Sequence, residues 1–197
     1  MPQPALKYIT PEEYLAREEI AGHRSEYYQG EIFAMAGGSI NHNRIVKNCI
    51  NHFEAELNDE NCEAFVENIR LWIKANGLFT YPDLVVVCGE AELYPDRDDT
   101  IVNPLVIIEV LSKSTKDYNR FEKFKLYRSI PTLQEYILID QYTIHVEQYY
   151  LEAPKKWVLV EYNQLVDVVK FAKINFQISL QDIYRRVKFA ESKAKSA

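Results

Sequence analysis

The chain has 197 residues, 47% hydrophobic and 26% charged, which suits one packed core and excludes a disordered polar chain. Its 29 acidic against 23 basic residues leave a net charge of -6. That excludes a broad basic DNA-coating surface, but not a small cleft that itself gathers carboxylates.

Three cysteines, Cys49, Cys62 and Cys88, occur without a CxxC pair. The odd count argues against a disulfide framework or a zinc knuckle and for a reducing compartment. The start, Met1 to Thr10, lacks signal-peptide architecture, and the longest apolar run, Leu105 to Leu111, is too short to span a bilayer. The expected location is cytoplasmic, with no membrane partner.

Thr10-Pro11-Glu12-Glu13 predicts a helix start: Thr10 as cap, Pro11 at the first helical position and Glu13 completing a capping box. The helix should run to about Glu18. His23 to Ala36 reads as a hairpin turning at Gln29-Gly30, where glycine allows a positive φ. Ser39 then caps a helix to about Asn58, with Ile45, Cys49, Phe53 and Leu57 at helical spacing.

Two strands follow, Ala64–Lys74 and Leu78–Cys88, then a polar loop from Gly89 to Asn103 and a third strand, Leu105–Leu111. The runs apolar at every position predict strands covered on both faces by helices. Ser114 or Thr115 should start the next helix, ending near Ser129 before Pro131. Tyr136–Ile139 is a further buried strand, and His145–Tyr150 with Trp157–Tyr162 form a peripheral hairpin. Ser179 caps a short final helix. The expectation is a single domain over residues 1–197, with a core of about 8–186 and a frayed tail over 187–197.

Two acidic residues interrupt this apolar pattern. Glu109 lies inside Leu105–Leu111, and Asp83 opens Leu84–Cys88 directly after Pro82. A buried carboxylate without a partner costs about 3–5 kcal/mol, so each requires a cation. Either each joins a structural salt bridge, or Asp83 is an exposed strand end, or the two converge on one divalent ion. Mg²⁺ takes oxygen ligands and commonly only one or two protein carboxylates.

Tyr81-Pro82-Asp83 followed by Pro104-Leu105-Val106-Ile107-Ile108-Glu109-Val110-Leu111-Ser112-Lys113-Ser114-Thr115 resembles the Uma2 family, also catalogued as a domain of unknown function. Glu26 four residues before Gly30, His42-Asn43-Arg44-Ile45, Asp117 to Tyr127, and Gln134 to Asp140 extend the resemblance over about Tyr8 to Tyr184. It implies an α/β (α+β) restriction endonuclease-like fold of the PD-(D/E)xK superfamily: a central mixed β-sheet flanked by helices, with an N-terminal helix and hairpin.

The resemblance also implies site residues. The superfamily lysine belongs two residues after the Glu, but that position is Leu111 here. In this family the lysine is thought to have moved to the next helix, where Lys123 matches. Arg120, Lys123 and Tyr127 share one face of that helix by spacing. Lys113 competes on strand parity. The implied catalytic set is Glu26, Asp83, Glu109 and Lys123, with His42, Lys113, Arg120 and Tyr127 as accessory candidates. Asp83, Glu109 and the Val110 carbonyl would hold Mg²⁺ or Mn²⁺.

The expected function is therefore a metal-dependent endonuclease acting on DNA. The alternatives are a catalytically idle descendant that binds nucleic acid or a protein partner, and a hydrolase of small phosphoesters. A homodimer could use the aromatic hairpin residues Tyr149, Tyr150, Trp157 and Tyr162, but the preferred reading is that those rings fill the core.

Overall fold

The Thr10 hydroxyl accepts the Glu13 N–H at 3.2 Å, while Glu13 Oε2 accepts the Thr10 N–H at 3.1 Å. This reciprocal cap starts α1 (Pro11–Ile20), as the sequence predicts. The computed structural model describes residues 8–35, 37–57, 61–66, 68–113 and 116–190. The chain continues through β1 (Ser25–Tyr28) and β2 (Glu31–Ala34), then α2 (Ile40–Glu56), capped by Ser39 accepting the His42 N–H at 3.1 Å. At the β1–β2 turn Gly30 has φ +87°, and a Cβ there would stand 2.2 Å from the Tyr8 ring.

The expected strand Ala64–Lys74 is two strands, β3 (Cys62–Val66) and β4 (Arg70–Ile73). Leu78–Cys88 likewise divides into β5 (Leu78–Thr80) and β6 (Leu84–Cys88). In each case the halves belong to different sheets. Tyr81-Pro82 lies at the second break, where proline cannot donate to a ladder. β7 (Thr100–Ile101) adds a short strand within the expected polar loop.

Two sheets result. The first runs β2-β1-β5-β4-β7. The second contains β8 (Val106–Leu111), β9 (Glu135–Asp140), β10 (Val146–Ala153) and β11 (Lys156–Tyr162), in the order β11-β10-β9-β8-β6-β3. Its β8–β9 pair is parallel and the others antiparallel, so it is mixed, as expected.

β8 is buried on both faces because two apolar layers meet on it. Val106, Ile108 and Val110 pack with Ile45, Val46, Cys49 and Phe53 of α2. Ile107 and Leu111 face the opposite layer, with Phe124, Tyr127, Leu71 and Leu78. That second layer lies under a composite helix of α3 (Lys116–Tyr118), a π-helical segment (Asn119–Lys123) and α4 (Phe124–Tyr127). The cap expected at Ser114 or Thr115 lies outside the described residues.

The peripheral hairpin forms as expected, and two of its rings fill core space: Tyr149 and Trp157 lie 4.5 and 5.3 Å from the Phe124 ring centroid. A second hairpin, β12 (Val168–Lys170) and β13 (Gln177–Ser179), closes the α2 side, stacking Phe176 on Phe53 at 4.0 Å. α5 (Leu180–Ile183) follows, capped by Ser179. The chain stays anchored beyond residue 187, later than expected, because Val187 and Phe189 pack on the core and Lys188 bonds to Asn41. Residues 191–197 lie outside the described region.

The expectation drawn from the cysteines is overturned. The antiparallel β3–β6 register sets Cys62 opposite Cys88, and the two form a disulfide. The cysteine count could not reveal the pair, because it depends on strands 26 residues apart meeting in register. Cys49 remains a buried thiol, pushed up to about 12 by burial. Among the described residues no helix is long and apolar enough to cross a membrane.

Candidate active site

Strand parity sets the floor of the site. Glu109 shares its strand face with Ile107 and Leu111 and so points to the layer beneath the composite helix. It is only 4% exposed. From the helix above, the Lys123 ammonium comes within 2.9 Å of Glu109 Oε1, and the Tyr127 hydroxyl donates to the same oxygen at 2.8 Å.

Glu26 arrives from the other sheet. The β1–β5 pairing sets Tyr27 opposite Phe79, and one step along it Glu26 lies beside Thr80. The Thr80 hydroxyl donates to Glu26 Oε1 at 2.5 Å, Lys123 Nζ reaches that oxygen at 2.8 Å, and the Tyr118 hydroxyl lies 3.4 Å from Oε2. Lys123, itself 4% exposed, thus joins carboxylates from both sheets.

Asp83 sits at the head of β6. The β6–β8 pairing of Leu84 with Ile108, continued one step, sets Asp83 beside Glu109. The Val110 N–H donates to Asp83 Oδ2 at 2.7 Å, and His42 Nε2, from the first turn of α2, lies 3.1 Å from Oδ1. Asp83 keeps partial contact with solvent, whereas Glu26, Glu109 and Lys123 form the deeper wall.

The electrostatics follow from this placement. Burial raises the Glu109 carboxyl to about 7; Lys123 opposes the shift, and the nearby charge of Asp83 adds to it. Burial also resists ionisation of Glu26, but Lys123 and the Thr80 and Tyr118 hydroxyls outweigh it and hold Glu26 below the usual glutamate value. Burial likewise works against the Lys123 charge. The two carboxylates prevail and raise it well above an ordinary lysine.

The sequence candidates separate cleanly in space. Glu26, Asp83, Glu109, Lys123, His42 and Lys113 all line one open cleft of about 1330 Å³. Tyr127 supports Glu109 from behind, fully buried. Arg120 turns away: it bonds Glu147 on β10 at 2.6–2.7 Å. The extra residue per turn in the π-helical segment breaks the common face that α-helical spacing predicts. Lys113 is exposed, with its ammonium 5.3 Å from the Tyr142 ring centroid. Thr80 and Tyr118 escaped sequence reasoning, since Thr80 reads as an ordinary β-branched strand residue and Tyr118 as one ring among 14 tyrosines.

Among the described residues no three His, Cys, Asp or Glu side chains converge so as to hold a metal ion. The available oxygen donors are the carboxylates of Asp83 and Glu109. Such a set fits a hard cation that takes its remaining oxygens from water or substrate. Burial is the main cause of the raised Glu109 carboxyl, with the Asp83 charge adding to it, and a cation held beside the two would oppose both effects.

Residues 11–181 match the Uma2 family, described as "Putative restriction endonuclease". The uncharacterized protein sll1609 of Synechocystis is 42% identical over 155 residues, covering 79% of this chain and 88% of its own. A second uncharacterized Synechocystis protein, slr1290, is 33% identical over 190 residues, covering 95% and 97%. A crystal structure of "a putative nuclease belonging to DUF820" from Anabaena variabilis shares the fold, with a TM-score of 0.68 over 83% of this chain and 91% of that one at 17% identity. The family match runs across β1, β6, β8 and the composite helix, the elements that build the carboxylate–lysine wall, and this protein belongs to the Uma2 family.

Proposed function

We propose that the protein is a metal-dependent endonuclease that hydrolyses phosphodiester bonds in DNA. The observation that carries this reading is the sharing of the Lys123 ammonium by Glu26 and Glu109 in the wall of a cleft that also presents Asp83. The family description "Putative restriction endonuclease" and the description of the Anabaena protein as "a putative nuclease" support the same direction. The cleft volume, about 1330 Å³, exceeds the roughly 300–1,000 Å³ usual for small-molecule pockets, which favours a polymer over a small phosphoester.

Asp83 and Glu109, with the Val110 carbonyl, would hold Mg²⁺ or Mn²⁺. A divalent cation held there supplies Lewis-acid polarisation of a phosphate oxygen and a lowered pKa for coordinated water. Lys123 carries the fixed positive charge that meets the charge developing on phosphate oxygens. Glu26, itself fixed by the Thr80 hydroxyl, holds that ammonium in place, and Tyr127 fixes the orientation of Glu109. His42 orients Asp83 through the 3.1 Å contact.

The test pairs calorimetric titration of Mg²⁺ and Mn²⁺ with nicking of supercoiled plasmid, using wild type and Asp83→Asn/Glu109→Gln. Metal binding and nicking by wild type, both lost in the variant, is the expected result. Metal binding without cleavage of any polynucleotide would favour an idle nuclease fold. Absence of metal binding even with DNA present would make the two carboxylates structural and refute the assignment.

A further inference from the structure

The cleft wall carries three exposed aromatic side chains from three separate elements. Phe33 of β2 is paired directly with Glu26 of β1, so its ring stands on the same sheet face as the carboxylate that holds Lys123, and it is 47% exposed. Tyr118, at the end of α3, reaches Glu26 through its hydroxyl while keeping 36% exposure. Tyr142, in the turn after β9, is 43% exposed, and its backbone N–H is tied to Asp140 Oδ1 at 2.6 Å. None of the three is placed among the packed residues of the core clusters.

The charges beside these rings do not describe a duplex-gripping surface. Lys123 is shared by two carboxylates, and Arg70 is bound by Asp99, Thr100 and the Tyr81 hydroxyl. Arg24 lies over the Tyr81 ring and Lys113 over the Tyr142 ring. Over the whole chain acids outnumber bases, with a net charge of -6. A rigid duplex would have to present its backbone to a centre whose Glu26, Glu109 and Lys123 are at most 9% exposed. A flexible strand with unstacked bases can thread to that depth, and each base it exposes gains a ring to stack on.

We infer that the cleft binds an unpaired polynucleotide strand, whose bases stack on Phe33, Tyr118 and Tyr142 while its backbone passes the Glu26–Lys123–Glu109 wall. The inference rests on the nuclease reading of the site and narrows its substrate to single-stranded, flapped or locally opened nucleic acid. Stacking on aromatic rings tolerates any base, so sequence preference is weak. Few phosphates are neutralised, so the affinity falls only gently with salt. Nothing in the stacking chemistry selects deoxyribose, and DNA and RNA strands form separate arms of the test.

The experiment measures binding by fluorescence anisotropy in EDTA, so that cleavage does not intervene. The probes are labelled 20-nucleotide single strands of DNA and RNA and a blunt DNA duplex of the same length. Wild type should bind a single strand at least tenfold more tightly than the duplex. Phe33→Ala and Tyr142→Ala should each weaken that binding about tenfold, while Tyr142→Phe keeps it. Phe121→Ala, exposed but outside the cleft wall, serves as control and should bind as wild type does. Duplex bound as tightly as single strand, or alanine variants indistinguishable from wild type, would overturn the inference. If plasmid nicking with metal persists in that case, the nuclease reading stands and only the stacking inference fails. Absence of binding to any of the three probes would overturn the stacking inference, and the metal-binding and nicking assay then decides the nuclease reading separately.

Discussion

Replacing Lys123 by methionine tests the central electrostatic claim, because the side chain keeps similar bulk and loses only the ammonium. In the native protein that ammonium lies 2.8 Å from Glu26 and 2.9 Å from Glu109, both almost wholly buried. Its removal leaves two carboxylates facing one another across an apolar gap. Breaking a buried ion pair by deleting one partner costs about 3–5 kcal/mol, and a protein of this size loses about 2–4 °C in Tm per kcal/mol. Lys123→Met should therefore lower Tm by roughly 10 °C at pH 8. The loss should shrink to less than half at pH 5.5, since Glu109, raised to about 7, is already largely protonated there in the native protein and the lost ammonium then leaves a single buried carboxylate. Lys123→Met/Glu109→Gln should recover much of the pH 8 loss by removing one of the repelling charges. Scanning calorimetry of wild type, Lys123→Met and the double variant at both pH values is the assay. An equal loss at the two pH values, or no recovery in the double variant, would refute the view that Lys123 neutralises two buried charges.

Glu109 predicts a stability profile of its own. Its folded value, about 7 against an ordinary 4.5, means that the native state holds this proton more tightly than the unfolded chain. Stability from this group is full below 4.5 and is lost as pH rises to about 7, a decline on the order of 3 kcal/mol. Urea denaturation from pH 5 to 8 should show that decline in wild type and a flatter line in Glu109→Gln. Mg²⁺ or Mn²⁺ at one hundred times its Kd should raise stability by about 2.7 kcal/mol at pH 8, an effect lost in Asp83→Asn. Thr80→Val removes a hydrogen bond to buried Glu26 at nearly constant volume and should cost about 1.5–3 kcal/mol by the same denaturation assay. Reduction of Cys62–Cys88, which closes a separation of 26 residues, should lower stability by about 2–4 kcal/mol. Thiol titration of the unreduced native protein should find neither sulfhydryl.

Much of this protein is legible in its sequence, for local reasons. The cap of α1, the φ of Gly30, the cap of α2 and the double burial of β8 each depend on residues close in sequence, whose sterics and hydrogen bonds act within one turn or one strand. Glu109 stands out because a carboxylate inside an apolar strand needs a partner wherever the strand goes. Which partner was settled only by assembly. Asp83, Glu26 and Lys123 lie on three further elements, and the register of β6 on β8 and of β1 on β5 brings them to Glu109. The π-helical segment admits Lys123 and Tyr127 to the site and sends Arg120 to Glu147, a choice that α-helical spacing could not anticipate. Cys62 met Cys88, and two apparent strands divided between two sheets, for the same reason. Local sequence determined which segments form elements and which faces are apolar, whereas pairing between distant strands depends on the free energy of the whole core, and only the tertiary structure decided it.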